Sequence, residues 1–479
     1  MRNLKRALSL GLTAAMISGL MVMGSSAASS SYTDVADTNN VEAIEVLKAV
    51  GVMVGDENGN FNPDQNVTRN EMAVIMANLM EYNVASYKNT SPFTDVPSWA
   101  EPYVAACYTN GITSGYSDTV YGGSDTVTTA QAALMLMKAL GYFQYASDFG
   151  SDWQLATTRQ GNDIDLFVGV DSGVTAPMTR NDVAQLVLNT LKSGTVQAET
   201  DGSFQIGDVV INRNVKYNYI TSGQTYAKAI DDALYTNNDG TVSTGSIVEL
   251  GEKLYMGDLK LNDDATDVFG RPARYWEYDG NEIGTYAKTE LLRQEYTTEV
   301  TGRDLYDLLG KSVIDDYTFF IYVDGENEES VLGDAFFTEN QLNRSNDEAV
   351  GATGNGVLTQ VYQDIDEHEI TISVINTYLA KAQEDYDEKN EEVDLTIYEL
   401  KNVGSSRTPT YVKADSMSEP YTVESDEFDI ADVVEDNLFL VTVADGAIQS
   451  MVAPEVLSDT TISNFKVDSY VTADGTKYD

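Results

Sequence analysis

The stretch Thr68-Arg69-Asn70-Glu71-Met72-Ala73-Val74-Ile75-Met76-Ala77-Asn78-Leu79 decides the fold class of the first part of this chain. A threonine followed three residues later by a glutamate is a helix-starting capping box. The hydroxyl accepts from the N3 amide and the carboxylate reaches back to the cap. Behind it Met72, Ile75, Met76 and Leu79 fall at i, i+3, i+4 and i+7, which is one apolar helix face. The unit returns as Thr128-Thr129-Ala130-Gln131, followed by Ala132, Met135, Leu136 and Ala139. It returns again as Thr179-Arg180-Asn181-Asp182, followed by Val183, Leu186, Val187 and Leu191, a near match with Thr190 at the strict i+7 position. Three capped amphipathic helices are predicted.

Working outward, Gly51-Val52-Met53-Val54-Gly55 and Gly111-Ile112-Thr113-Ser114-Gly115 each end 13 residues before their threonine. Helical stretches 41–50 and 99–110 precede them, opened by Tyr32-Thr33-Asp34-Val35 and Phe93-Thr94-Asp95-Val96. In the third copy Trp153 opens the helix, Leu166-Phe167-Val168-Gly169 replaces the glycine unit, and an aromatic-Thr-Asp-Val opening is missing. Each copy reads as helix, glycine-ended loop and capped helix. A unit of this size cannot hide its apolar face alone, so the three should pack together.

This pattern resembles the surface-layer homology (SLH) repeat over residues 30 to 195. The resemblance implies three repeats forming a pseudo-trimeric, all-α helical prism. It also implies non-covalent anchoring of an exported protein to secondary cell-wall polysaccharide, often pyruvylated. Repeat 2 departs from the family pattern by carrying Thr129 where an arginine is expected. The resemblance points to Arg69 and Arg180 as contacts to the anionic glycan. A guanidinium at a helix N-terminus suits a carboxylate or phosphate, the alternative being a bond to a neighbouring repeat's carboxylate. Trp99 and Trp153 are candidates to stack on sugar, or else core residues. Thr68, Glu71, Thr128, Gln131, Thr179 and Asp182 are the helix-capping positions. Asp34 and Asp95 read as helix caps, and Cys107 as a buried small hydrophobe. The loop 56–62 fails the EF-hand pattern, because Phe61 and Val67 stand where glycine and glutamate are needed.

Composition narrows the rest. Among 479 residues, 76 Asp+Glu face 29 Lys+Arg, a formal net charge of −47. Nucleic acid and anionic membrane surfaces are therefore poor partners. One cysteine and one histidine exclude an intramolecular disulfide, a cysteine-rich zinc site and multi-histidine chemistry. Arg2, Lys5 and Arg6, an uncharged apolar run 7–23 and small residues through Ala28 read as a signal peptide 1–27, cleaved after Ala27 or Ala28. No second long apolar run follows, so an exported chain without a membrane span is expected after cleavage.

From Gln197 the texture turns to strands: 215–221, 273–278, 317–323, 371–375, 395–398 and 438–443, punctuated by Asp-Gly turns. Short helices are expected at 226–234, 302–309 and 378–390. Residues 201–479 hold 56 Asp+Glu against 19 Lys+Arg, a net of −37. No cofactor is expected; calcium is the one ion this acidity admits, in 201–479, through clusters such as Asp263-Asp264 with Asp267 or Asp364 with Asp366 and Glu367, the alternative for each being a solvated acidic surface. His368, between two glutamates, reads as solvated. No Gly-x-Ser-x-Gly, His-Glu-x-x-His or P-loop sequence is present.

The expected fold class is α+β multidomain: an N-terminal all-α three-repeat prism followed by a β-rich acidic region. The expected boundaries are signal peptide 1–27, repeats 28–90, 91–148 and 149–195, and β-rich modules 196–345 and 346–479. The chain stops at a return strand barely begun, which suggests a truncated product or a longer architecture. The expected function is a non-catalytic, S-layer-like cell-envelope protein that self-associates on the surface. An SLH-anchored extracellular polysaccharide hydrolase is the alternative, because two carboxylates suffice for that chemistry.

Overall fold

The computed structural model describes residues 32–35, 40–200, 203–206, 209–212, 215–231, 234–236, 242–344, 350, 353, 357–401, 410–413, 420–425, 427–454, 462–466, 469–472 and 477–478. The signal-peptide segment 1–27 lies outside them. The chain divides into two compact units, residues 30–263 with 275–284 and residues 264–274 with 285–479. Among the described residues no helix is long and apolar enough to cross a membrane.

The first unit holds α1 (Val41–Ala49), α2 (Arg69–Leu79), α3 (Glu101–Thr109), α4 (Thr129–Leu140), α5 (Trp153–Asn162) and α6 (Arg180–Leu191). The apolar positions read from the sequence form its core: Met72, Met76, Leu79, Leu136, Val183, Leu186, Val187 and Leu191 are all buried. Helices α1 and α3 end in glycines with left-handed backbone, Gly51 at φ +71° and Gly111 at φ +76°, a conformation glycine reaches without strain. The glycines that close the loops have another purpose. A Cβ on Gly55 would sit 2.3 Å from the Tyr32 ring, and one on Gly115 would sit 2.4 Å from the Phe93 ring. Those two positions need glycine because the opening aromatic packs directly on the backbone.

The expectation of an all-α prism for 28–195 is overturned. The helices alternate with long irregular connections, and the segments before α2, α4 and α6 are extended. They pair through β-bridges between Asn66 and Thr179, Thr68 and Thr126, and Thr128 and Pro177. The same unit runs on into paired strands Val196–Thr200 and Val215–Tyr219. It ends its helical content with α7 (Leu250–Tyr255). The reason lies at the helix starts: amides there have no intrahelical acceptor, and extended chain from a neighbouring repeat supplies one. The overall α+β class stands.

In the second unit a five-stranded sheet runs Leu292–Tyr296, Val357–Asp364, Glu369–Asn376, Thr318–Val323, Glu326–Leu332. Its pairs are antiparallel except Thr318–Val323 against Glu369–Asn376. Helices α8 (Gly302–Asp316) and α9 (Gly333–Glu339) pack on it through Leu305, Leu309, Phe319, Phe336 and Ile372. A second, antiparallel sheet is built on Tyr378–Ala382, Glu392–Lys401 and Leu438–Ala444. Asp324 joins the two sheets: its carboxylate accepts from the Asn376 amide at 2.8 Å and the Tyr378 hydroxyl at 2.6 Å.

Three helix expectations change here. Among the described residues of 226–234 there is one 3-10 turn, Thr225–Lys228. The helix from Gly302 continues to Asp316 across Gly310 at φ +78°. Tyr378–Ala382 is a strand because it is paired on both edges, a long-range fact that local propensity does not carry. The Asp-Gly turns at 279–280, 324–325 and 445–446 all have positive φ at both residues, the mirror-image turn that matches strand twist.

Candidate functional site

The three helix starts meet in a closed ring of backbone hydrogen bonds. Val67 N–H donates to Met178 O at 2.9 Å, Met178 N–H to Val127 O at 3.0 Å, and Val127 N–H to Val67 O at 2.9 Å. The next two amides continue the pattern outward. Arg69 and Asn70 donate to Asp125 O and Gly123 O, Thr129 and Ala130 to Ala176 O and Val174 O, and Arg180 and Asn181 to Gln65 O and Pro63 O. Repeat 1 thus leans on repeat 2, repeat 2 on repeat 3, and repeat 3 on repeat 1. The N1 and N2 amides, which would otherwise receive an anion, are filled by protein carbonyls.

The capping side chains complete each start. Thr68 and Glu71 form the reciprocal box, with the Thr68 amide donating to Glu71 Oε2 at 2.7 Å. The Thr128 amide donates to Gln131 Oε1 at 3.1 Å. In the third copy Thr179 Oγ1 accepts from the Asp182 amide at 3.1 Å, while the Asp182 carboxylate takes the Ser172 hydroxyl.

The guanidinium groups extend the same ring. Arg69, only 6% exposed, donates to Tyr121 O at 3.3 Å and Ser114 O at 2.8 Å and lies over the Tyr116 and Tyr121 rings. Arg180 donates to Phe61 O at 2.7 Å and Val54 O at 3.0 Å and lies over the Phe61 ring. Both therefore bond carbonyls of the adjoining repeat. The Thr129 hydroxyl makes the corresponding reach to Ser172 O at a long 3.4 Å. Trp99 is 55% exposed in the turn before α3, and Trp153, the first residue of α5, is half-buried.

Asp34 and Asp95 do not cap helices. Asp34 accepts the Phe61 and Asn62 amides at 2.7 and 2.6 Å, and Asp95 those of Tyr121 and Gly122, both at 2.8 Å. Each opening aspartate so pins the loop leading to its own capped helix. Burial works to raise the Asp95 pKa, but the two amides, with Arg69 nearby, hold it below the usual carboxylate value. Cys107 is buried with its thiol pushed up to about 12 by loss of water.

Of the acidic clusters, Asp263 and Asp264 lie on the strand Leu259–Thr266. Asp267 is buried against Arg271, from whose Nε–H its carboxylate accepts a bond at 2.6 Å. Asp364 accepts the amides of Asp366 and Glu367. Among the described residues no three acidic, histidine or cysteine side chains converge as a metal site. His368 is exposed and stacks on Tyr317, ring centroids 4.8 Å apart. Sequence reading missed the buried pair Glu249 and Glu252 at the start of α7. Spacing alone offered a capping signature there, Glu-x-x-Glu, without the usual hydroxyl cap.

Residues 31–73 and 92–133 match the S-layer homology domain family. The chain is 24% identical over 295 residues to a "Cell surface protein" of Thermoanaerobacter kivui, covering 59% of this chain and 37% of that one. It is 29% identical over 197 residues to the "Surface-layer 125 kDa protein" of Lysinibacillus sphaericus, covering 38% and 16% respectively. A match of 29% over 112 residues, 22% of this chain and 12% of the other, links it to an "Endoglucanase" of a Bacillus species. The chain spans well under two thirds of the length of each of these relatives. Two family-matched segments, joined in the ring by a third copy that keeps the Thr-Arg-x-acid helix start, make this an S-layer-like, secreted cell-surface protein that carries S-layer homology domains.

Proposed function

We propose that the repeat segment anchors the chain non-covalently to secondary cell-wall polysaccharide, and that the chain is a non-catalytic envelope protein. The observation that carries this reading is the S-layer homology match at the two segments. The polymer's anionic substituent, a pyruvyl acetal where present, meets the surface beside the arginine-bearing helix starts. Trp99 offers exposed surface for it, and Arg180 and Trp153 are half-buried. Arg69 acts from a buried position by holding the 114–121 loop in shape. The β-rich acidic region faces outward, and copies of the chain self-associate on the surface.

Pull-down of the secreted chain with purified cell walls, before and after extraction of the secondary polymer, tests the anchor. Binding lost only after extraction is the expected result; binding that survives extraction rejects it. The endoglucanase relative gives the hydrolase reading one observation in its favour. Release of reducing ends from wall or soluble glucans by the purified chain would replace the non-catalytic reading.

A further inference from the structure

A cleft of about 340 Å³ lies at the far end of α4 from the ring, lined by Asn110, Gly111, Lys138, Phe143, Tyr145 and Phe149 among others. Lys138 is on the last turn of α4. Burial pushes the Lys138 pKa down, and no neighbouring charge counters it. Among the described residues no carboxylate pairs with its ammonium. In a chain with 76 acidic and 29 basic residues, a half-buried lysine left without an anion is the unusual feature. A lysine near a helix C-terminus gains from the helix dipole when solvated, but that does not account for placing it in a cleft.

The walls are built rather than accidental. Phe143 and Phe149 stack with centroids 5.2 Å apart. Phe143 takes a left-handed backbone at φ +55°, a strained choice for an aromatic residue that packing must repay. The loop carrying both rings is braced from the strand Val215–Tyr219. The Tyr217 hydroxyl donates to Asp148 Oδ2 at 2.6 Å and accepts from the Gln144 amide at 3.0 Å. Asp148 also accepts the Tyr145 amide at 2.9 Å. The cleft is thus preformed, with one cation and an apolar aromatic wall.

We propose that this cleft binds a carboxylate-bearing pyranose, Lys138 taking the carboxylate and Tyr145 with Phe149 taking the C–H face of the ring. A bare carboxylate would leave most of the volume empty. A neutral sugar would displace water from the half-buried ammonium without supplying an anion, which is costly. This site is separate from the arginine-bearing helix starts and does not depend on how they bind the wall.

The probes are glucuronate, glucose and acetate, titrated into the full chain by calorimetry. Glucuronate should bind, with glucose and acetate each roughly tenfold or more weaker, the scale of one charged hydrogen bond. Lys138→Met should cost glucuronate about ten- to a hundredfold while leaving the melting temperature unchanged or higher, since it removes a desolvated charge. Tyr145→Ala should weaken glucuronate but leave acetate unaffected. Failure of glucuronate to bind, equal affinity for glucose, or unchanged affinity in Lys138→Met overturns the assignment. Wall pull-down by Lys138→Met reports separately on the anchor, so the two readings fail independently.

Discussion

Replacing Arg69 with alanine should destabilise the repeat-bearing unit far more than an exposed arginine would. The side chain is 6% exposed, donates to the carbonyls of Tyr121 and Ser114, and covers two tyrosine rings. A hydrogen bond from a charged donor contributes about 1.5–3 kcal/mol, and each stranded buried carbonyl adds a desolvation penalty. The expected loss is about 3–5 kcal/mol. Arg180→Ala removes the same number of bonds from a half-buried side chain, one of them to the exposed Val54 carbonyl, where water can replace it, so a smaller loss of about 1–3 kcal/mol is expected. Thr129→Ala removes only a 3.4 Å contact and should cost under about 1 kcal/mol. Trp99, Trp153 and Trp276 all belong to the unit of residues 30–263 with 275–284, so tryptophan fluorescence during urea unfolding reports that unit. With a slope of about 1–3 kcal/mol per molar urea, Arg69→Ala should lower the midpoint by about 1 M or more. The order Arg69, Arg180, Thr129 is the signature of the ring. An Arg69→Ala midpoint indistinguishable from the parent, or a Thr129→Ala loss as large, would refute the argument that these side chains lock neighbouring repeats.

Further outcomes follow from the aspartates, the buried glutamates and the loop glycine. The Asp95 pKa is depressed, so its contribution is present above its unfolded value of 3.8 and is lost as pH falls through the lower folded value. Asp95→Asn should therefore melt below the parent at pH 7, with the gap closing in strong acid; a constant gap would show that charge is irrelevant. The Glu249 carboxyl runs the other way: burial and the neighbouring Glu252 push it from 4.5 up to about 10. The fold holds a proton that the unfolded chain releases, so stability falls as pH rises between those values. Glu249→Gln should raise the melting temperature at pH 8–9 and do little near pH 4, and no pH dependence in that difference would count against a protonated Glu249. Gly115→Ala places a Cβ 2.4 Å from Phe93 and 2.6 Å from Val120 O. Gly111→Ala meets nothing within 4 Å but must hold φ +76°. The first should cost several-fold more than the second, whose strain is about 1 kcal/mol, as read by their melting temperatures.

Local physics made much of this protein legible before any coordinates. A threonine followed three residues later by Glu, Gln or Asp, ahead of an apolar stripe at helical spacing, favours a capped helix from local interactions alone, and so α2, α4 and α6 begin where Thr68, Thr128 and Thr179 announce them. The Asp-Gly pairs fixed hairpins at 279–280, 324–325 and 445–446 for the same reason, since both positions need positive φ. What pairs across the chain was not legible. Asp34 and Asp95 looked like caps because their partners, the amides of Phe61–Asn62 and Tyr121–Gly122, lie 26 to 28 residues away. Tyr378–Ala382 became a strand through two neighbouring strands that local propensity cannot see. The all-α expectation failed at the ring, where Val67, Val127 and Met178 exchange backbone bonds among segments distant in sequence. The sequence by itself determined where helices start and chains turn, because those choices are settled within four residues. Only the tertiary structure decided which carbonyl each freed amide and guanidinium would find, because that depends on three repeats closing on one another.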